Sequence, residues 1–471
     1  MTHSTTMSEP AYSSSIGTRL DRMPITGAHR TLTLLIGLGL FFDYFDSNLS
    51  GTVSKVLQVE FGVDGNALKL FLASGFIGQF FGSILLGRLS DIIGRRRAFM
   101  LNLAVYSVFT LLGAFSPNVA WLIVTRFIAG VGIGAEQTLA DCYLAEVLPA
   151  RRRGRFIGWA YCIAFCGVPA VGFTALWLAP RTILGLAGWR WVFIIGALGT
   201  ALIWILRRRL VESPRWLAEQ GRTAEAEAIV SGLERQAGIQ QPPAGTTPSM
   251  LGRPRPRPRP RPGYRELFGP LYWRRTVMLW TFCLLSVTAY YGFGTLAPQV
   301  LAVKGFDIVA GLGYTAMSFL GYPIGSLLSV PILDRVERRT LICVSATLMA
   351  ASGIGFGLAG NAVAIVAFGF SYTLLSNVFS TASHVYLSEQ YPTAFRTTAA
   401  GAAYSLSRLS AALLPFVLLP ILTNAGAGWL FTVIAGCVVV MIVAVLRLGD
   451  RTTGTSVDLP VQVEQAGYRR N

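Results

Sequence analysis

Lysine is nearly missing from this chain: Lys55, Lys69 and Lys304 stand against 37 arginines (40 − 3). Charge of either sign is also scarce, at 13% of 471 residues, whereas 53% are hydrophobic. A soluble protein carries about 25% charged residues, so membrane embedding is the expectation. The six cysteines (Cys142, Cys162, Cys166, Cys283, Cys343 and Cys437) lie mostly in apolar runs without metal spacing. They read as small packing residues, which excludes a disulfide or zinc framework. No stretch alternates like a barrel strand. Residues 1–30 are polar and Ser/Thr-rich, so no cleavable signal peptide is expected, and the first apolar segment serves as its own insertion signal. No nucleotide-binding loop, His/Asp metal cluster or Ser/His pair is legible, so neither an enzyme, nor ATP as energy source, nor a cofactor is expected.

What remains is apolar sequence in quantity. Twelve segments are long enough to span, near 31–53, 68–89, 98–115, 119–147, 156–178, 189–207, 277–303, 308–333, 341–358, 361–388, 398–422 and 427–447. The fold class is therefore all-α membrane protein. Arginines crowd the even turns: Arg95–Arg97, Arg151–Arg155, the run from Arg207, then Arg335, Arg338 and Arg339, and Arg396. The odd turns hold few basic residues, which places even turns and both termini in the cytoplasm. The formal net charge of +17 is thus explained by topology and anionic lipid headgroups, and no nucleic-acid partner is expected.

The longest connection, 208–276, separates a bundle at 31–207 from one at 277–447; tails of 1–30 and 448–471 flank them. It opens with Glu212-Ser213-Pro214-Arg215 and continues as an amphipathic helix near 215–237. Alternating Arg-Pro from Arg253 to Pro262 cannot be helical and reads as an extended linker.

The chain is built around one stretch, Gly82 to Arg97, a helical hairpin whose basic turn follows Asp91. Gly87 and Gly94 there are expected to let another backbone approach. The pattern returns from Gly325 to Arg339: Gly325 follows Gly82, and Asp334 follows Asp91, by 243 residues (325 − 82; 334 − 91). At the same offset Glu146 and Arg153 match Glu389 and Arg396. An acid ending an even helix and an arginine starting the next thus appear in both halves. Two six-helix halves of this kind form a transporter architecture with two bundles that rock against each other. The clusters Asp91, Arg95, Arg96, Glu146, Arg153 and Asp334, Arg338, Arg339, Glu389, Arg396 are expected to gate its inner end.

Gly87-Arg88-Leu89-Ser90-Asp91-Ile92-Ile93-Gly94-Arg95-Arg96 resembles the signature loop of the major facilitator superfamily, with Ile92 in place of the usual basic residue. Glu212-Ser213-Pro214-Arg215 and Glu389-Gln390-Tyr391-Pro392-Thr393-Ala394-Phe395-Arg396 resemble its sugar-porter and organic-acid branch. Asp43-Tyr44-Phe45-Asp46 is similar to the Asp-x-x-Asp signature of aromatic-acid and metabolite:proton symporters. The resemblance covers about residues 31–447 and implies a proton-coupled, monomeric carrier of a small molecule. Gly167-Val168-Pro169-Ala170-Val171-Gly172 partly resembles drug antiporters, so efflux is the alternative, beside a uniporter or a non-transporting sensor. Gly130-Val131-Gly132-Ile133-Gly134 is no dinucleotide fingerprint, since no strand precedes it; close helix packing is its expected role.

Asp43, Asp46, Arg126, Glu136 and Arg408 fall inside spans. Each costs about 2.5–3.5 kcal/mol at the bilayer centre, so they are expected to face one another and a polar cavity. At ~1.5 Å per residue Asp46 and Arg126 both lie ~10 Å below the outer surface and can pair, with Asp43 one level deeper. Glu136 and Arg408 are expected to approach the midplane from opposite halves. Gln137, Asp141 and His384 are further candidates; Asp141 and His384 are equivalent under the repeat (384 − 141 = 243), either as paired site residues or as a helix–helix hydrogen bond. The expected function is import of an organic anion, with Arg408 and Arg126 offering positive charge and one of Asp43, Asp46 and Glu136 carrying the proton.

Overall fold

The computed structural model describes residues 16–149, 152–239, 269–270, 273–333, 335–389 and 393–449. For 330, 333, 385, 387–389 and 393–403 it describes the backbone alone. Among the described residues, eleven helices are long and apolar enough to cross a membrane. Spans 1 to 6 are Gly27–Glu60, Gly65–Ile93, Arg95–Ala114, Val119–Val147, Arg153–Leu178 and Gly188–Arg207. Spans 7 to 10 are Trp273–Val303, Ile308–Ser329, Arg338–Leu358 and Ala362–His384. The last helix, Tyr404–Leu448, has 45 residues and would be about 67 Å long, twice the hydrocarbon core. It breaks at Gly426 (φ 86°, ψ 176°), so it supplies spans 11 and 12. Spans 4, 5 and 8 bend at Ala135, Cys166 and Leu320. A two-residue hairpin, Thr182–Ile183 with Leu186–Ala187, joins spans 5 and 6 and was not legible as strand.

The duplication is visible in how glycines seat neighbouring helices. A Cβ on Gly78 or Gly82 would lie 2.0 Å from the carbonyl oxygen of Phe127 or Val131. In the second half a Cβ on Gly321 or Gly325 would lie 2.4 or 2.3 Å from the carbonyl of Phe370 or Leu374. Each of these four residues is its counterpart plus 243 (321 − 78, 325 − 82, 370 − 127, 374 − 131). Spans 2 and 4, and spans 8 and 10, therefore pack backbone to backbone in the same way. Gly130 and Gly134 continue this seam against Gly75 and Gln79, where a Cβ would come within 2.2 and 2.3 Å of a carbonyl. The glycine run of span 4 is a packing surface.

Beneath the first half lie three short helices: Ile16–Arg22, Pro214–Glu219 and Thr223–Gln236. The single amphipathic helix expected near 215–237 is two, because Gly221 adopts φ +78° between them. Ser213 caps the first by accepting from the Trp216 N–H (3.2 Å), with Pro214 at its first position. Part of the expected N-terminal tail is thus ordered: Leu20 and Met23 are buried against Val230 and Leu233. Arg19 bridges Glu227 (2.5 Å) and Glu234 (2.6 Å), which holds its guanidinium firmly charged.

These helices rewire the first arginine cluster. Arg95 pairs with Asp91 (2.7 Å) and Glu146 (3.0 Å). Arg153 does not meet Glu146 but Asp21 (3.2 Å), which also takes Arg215 (2.8 Å). Arg96 donates to the Arg208 carbonyl (2.5 Å). Gly94, at φ +95°, packs against the Glu212 carboxylate, where a Cβ would come within 2.5 Å. Gly87 has open space beside it, so it does not serve close approach. In the second half Arg339 donates to the Leu446 carbonyl and Arg338 is also engaged. Asp334, the side chains of Glu389 and Arg396, and the Arg-Pro stretch lie outside the described residues.

Glu212, quoted in the sequence only as part of a motif, has a role that sequence reasoning did not assign. Its carboxylate accepts from the N–H groups of Arg95 (2.9 Å), Arg96 (3.2 Å) and Ser213 (3.0 Å), so it caps span 3. Charge-assisted hydrogen bonds are worth about 1.5–3 kcal/mol each. Asp91 is 62% exposed, and exposed pairs give at most about 1 kcal/mol. Glu212→Ala should therefore destabilise the protein by about 2–3 kcal/mol in detergent unfolding, more than Asp91→Asn does. Equal losses would show that the cap carries no special weight.

Candidate functional site

Span 1 supplies two carboxylates three residues apart, hence on one helical face, and both are 1% exposed. Asp46 accepts from Arg126 Nη1 (2.9 Å) and Thr110 Oγ1 (3.0 Å), while Arg126 Nη2 donates to the Asp46 carbonyl (2.9 Å). Asp46 and Arg126 are thus brought together as a pair.

Glu136 is not free to meet Arg408. It is fully buried and accepts from Arg207 Nη1 at 2.5 Å. Arg207 ends span 6 and was counted with the basic turn, yet its side chain runs back into the bundle. Its Nε and Nη2 reach the carbonyls of Leu35 and Ile36 (both 3.2 Å), over the Phe99 ring at 4.6 Å. Gly39 is the slot that admits it: a Cβ there would lie 1.8 Å from Arg207 Nη2. The Gly37-Leu38-Gly39 spacing in span 1 was the available signal.

Arg408 lies on the second half and crosses to the first. Its Nη2 donates to Gln137 Oε1 (2.5 Å) and its Nη1 to the Tyr291 hydroxyl (2.9 Å). Both acceptors are neutral. Asp43 stands within electrostatic reach of Glu136, Arg408, Asp46 and Arg207, and neither of its oxygens has a hydrogen-bond partner among the described residues. Three acids and three arginines meet here. Two pairs are closed, and Asp43 and Arg408 are left over.

A cavity of about 100 Å³ opens on Arg408, Gln137 and His384 between the halves. Tyr44, Phe282, Tyr290, Tyr291, Phe379 and Tyr404 give it aromatic walls; Ser286, Ser380, Ser383 and Ser407 give it hydroxyls. Asp141 accepts from the Tyr161 hydroxyl (2.9 Å), and His384 Nδ1 meets the Tyr404 hydroxyl (2.5 Å). At the end away from the arginine clusters, spans 1 and 7 touch. A Cβ on Gly51 would lie 2.8 Å from Thr295 Cα, and Gln299 Nε2 donates to Ser54 Oγ (3.2 Å).

Two six-span halves with charge buried at their interface, and a cavity of aromatic walls and hydroxyls between them, define a membrane carrier of the major facilitator type. The chain belongs to the family described as Sugar (and other) transporter, whose model matches residues 32–458. It is 30% identical to YyaJ of Bacillus subtilis, a protein named for metabolite transport, over 94% of this chain and 97% of that one. It is 27% identical to the niacin transporter NiaP of Acinetobacter baylyi, over 93% and 98%. The fold matches the xylose transporter XylE of E. coli in a partially occluded inward open conformation. That match has TM-score 0.72 and 20% identity, over 90% of this chain and 99% of that one. The chain is therefore a multi-pass transporter of the sugar and metabolite class and not an enzyme.

Proposed function

We propose that this transporter imports a small organic carboxylate together with one proton by alternating access. In this reading it is an inner-membrane monomer with cytoplasmic termini and arginine clusters. The charge inventory of the site carries the reading. Asp46 and Glu136 are neutralised by Arg126 and Arg207. Asp43 and Arg408 have no such partners among the described residues. A substrate carboxylate on Arg408 and a proton on Asp43 satisfy both at once. Relatives that carry metabolites, and a fold neighbour that is a proton:xylose symporter, support transport of a small molecule with a proton. The first-half arginine cluster, in this reading, holds the cytoplasmic end when the site faces outward.

Arg408→Lys tests the anion. An ammonium is a point charge without the fork that grips a carboxylate in two places while keeping Tyr291 and Gln137. Purified protein should bind carboxylates about tenfold more weakly in the variant, a loss of ~1.4 kcal/mol, with neutral amide analogues unaffected. A loss confined to neutral ligands would overturn the anionic substrate.

A further inference from the structure

The acid and the base at equivalent places in the two repeats are linked in space by a tyrosine ring. Asp141 is bonded to Tyr161, and His384 to Tyr404, each twenty residues on (161 − 141; 404 − 384). The tyrosines are themselves equivalent (404 − 161 = 243), so one motif occurs twice with acid and imidazole interchanged. The two copies are in contact across the halves. The Tyr161 and His384 rings lie 6.0 Å apart at 30°, and the His384 and Tyr404 rings 5.8 Å apart at 23°. All four side chains are half-buried. Asp141 has no ion pair among the described residues.

We propose that Asp141 and His384 form one proton-binding couple shared by the two halves. It is assembled when spans 4 and 5 close on spans 10 and 11, and it is a second station, beyond Asp43, for the same transported proton. The couple takes one proton from water onto the imidazole. Asp141 stays a carboxylate held by the Tyr161 hydroxyl, and no other bond changes. Opposite charge then joins the halves through the tyrosine ring; parting of the halves separates the charges and releases the proton. The titratable and charged groups facing it are Tyr44 from span 1, Cys283, Tyr290 and Tyr291 from span 7, Tyr322 from span 8 and Arg408 from span 11. Of these Arg408 alone is a cation, and it repels a charged imidazole one helical turn from Tyr404. An anion on Arg408 removes that repulsion, so substrate and proton favour each other, reciprocally.

The coupling consequence rests on the symport reading; the couple itself is testable without substrate. The chain has three histidines, so isotope-labelled imidazoles give His384 its own titration curve by NMR. Asp141→Asn should move the His384 midpoint by at least about half a pH unit and leave His29 in place. An unmoved His384 midpoint overturns the couple, whatever the substrate proves to be. In proteoliposomes Asp141→Asn and His384→Gln should each lose about tenfold in pH-gradient-driven accumulation. Because the positions are equivalent, the interchange Asp141→His with His384→Asp should recover accumulation that either substitution alone removes. A double variant no better than the singles would show that the four residues merely pin helices together. Wild-type protein that accumulates nothing under a pH gradient would sink the symport reading, and the NMR result would still decide the couple.

Discussion

Asp43→Asn is expected to stop gradient-driven accumulation while leaving the protein folded and able to exchange substrate. A pH gradient of one unit is worth about 1.36 kcal/mol per proton, or about tenfold accumulation for one proton per substrate. Asparagine keeps the outline of the side chain but cannot bind and release a proton. The variant should therefore stop at an accumulation ratio of about one at any gradient, where the wild type gains about tenfold per unit. The inventory of charges adds a second expectation. One anion with one proton moves no net charge, so a membrane potential imposed with potassium and an ionophore should leave wild-type accumulation unchanged. Asp46→Asn differs in kind, because it also strands the Arg126 guanidinium, 2% exposed, without its carboxylate. That variant should lose stability as well as transport. Accumulation by Asp43→Asn with the wild-type response to pH would remove Asp43 from the mechanism.

The separate fates of these two aspartates mark how far the sequence could be read. Apolar run lengths set twelve spans, and an exact repeat of 243 residues set two halves, because spanning length and duplication are one-dimensional properties. Asp46 with Arg126 was legible for a similar reason: depth in a membrane follows from residue count along a straight helix. The same ruler set Glu136 and Arg408 near one level from opposite halves but did not say what each would touch. Depth says nothing about azimuth, and Glu136 follows the bend at Ala135 and turns into its own bundle, while Gln137, one residue on, takes Arg408. Arg207 was missed because a long side chain at a helix end is expected to reach for water. Here it runs inward, through space that only Gly39 leaves open. The roles of Glu212 and Asp21 were missed because their main partners, backbone N–H groups of span 3 and two arginines, lie more than a hundred residues away, joined by helices that pack beneath the first half.

The Glu136–Arg207 pair should give the largest stability effect in the molecule. Both side chains are 0% exposed, and breaking a buried pair by removing one partner typically costs 3–5 kcal/mol, roughly a third of a protein's stability or more. Arg207→Ala leaves a carboxylate buried beside Asp43 with no arginine to balance it. Glu136→Ala leaves a guanidinium held only by the Leu35 and Ile36 carbonyls and the Phe99 face. Each should cut the yield of monodisperse protein and lower its unfolding temperature in detergent. Gly39→Val should do the same from the other side, since its Cβ would fall on the guanidinium. The double variant Glu136→Leu/Arg207→Met removes both charges and keeps most of the volume. It should recover most of the loss, because an apolar replacement of a buried pair is often neutral. Transport then separates two roles for the pair. A recovered fold with wild-type accumulation would make it a brace for spans 1, 4 and 6. A recovered fold with altered pH dependence would mean that Glu136 and Arg207 set the field in which Asp43 takes its proton. Single variants as stable as the wild type would show that the two charges are not confined to each other, and that the inventory leaving Asp43 and Arg408 unpaired is miscounted.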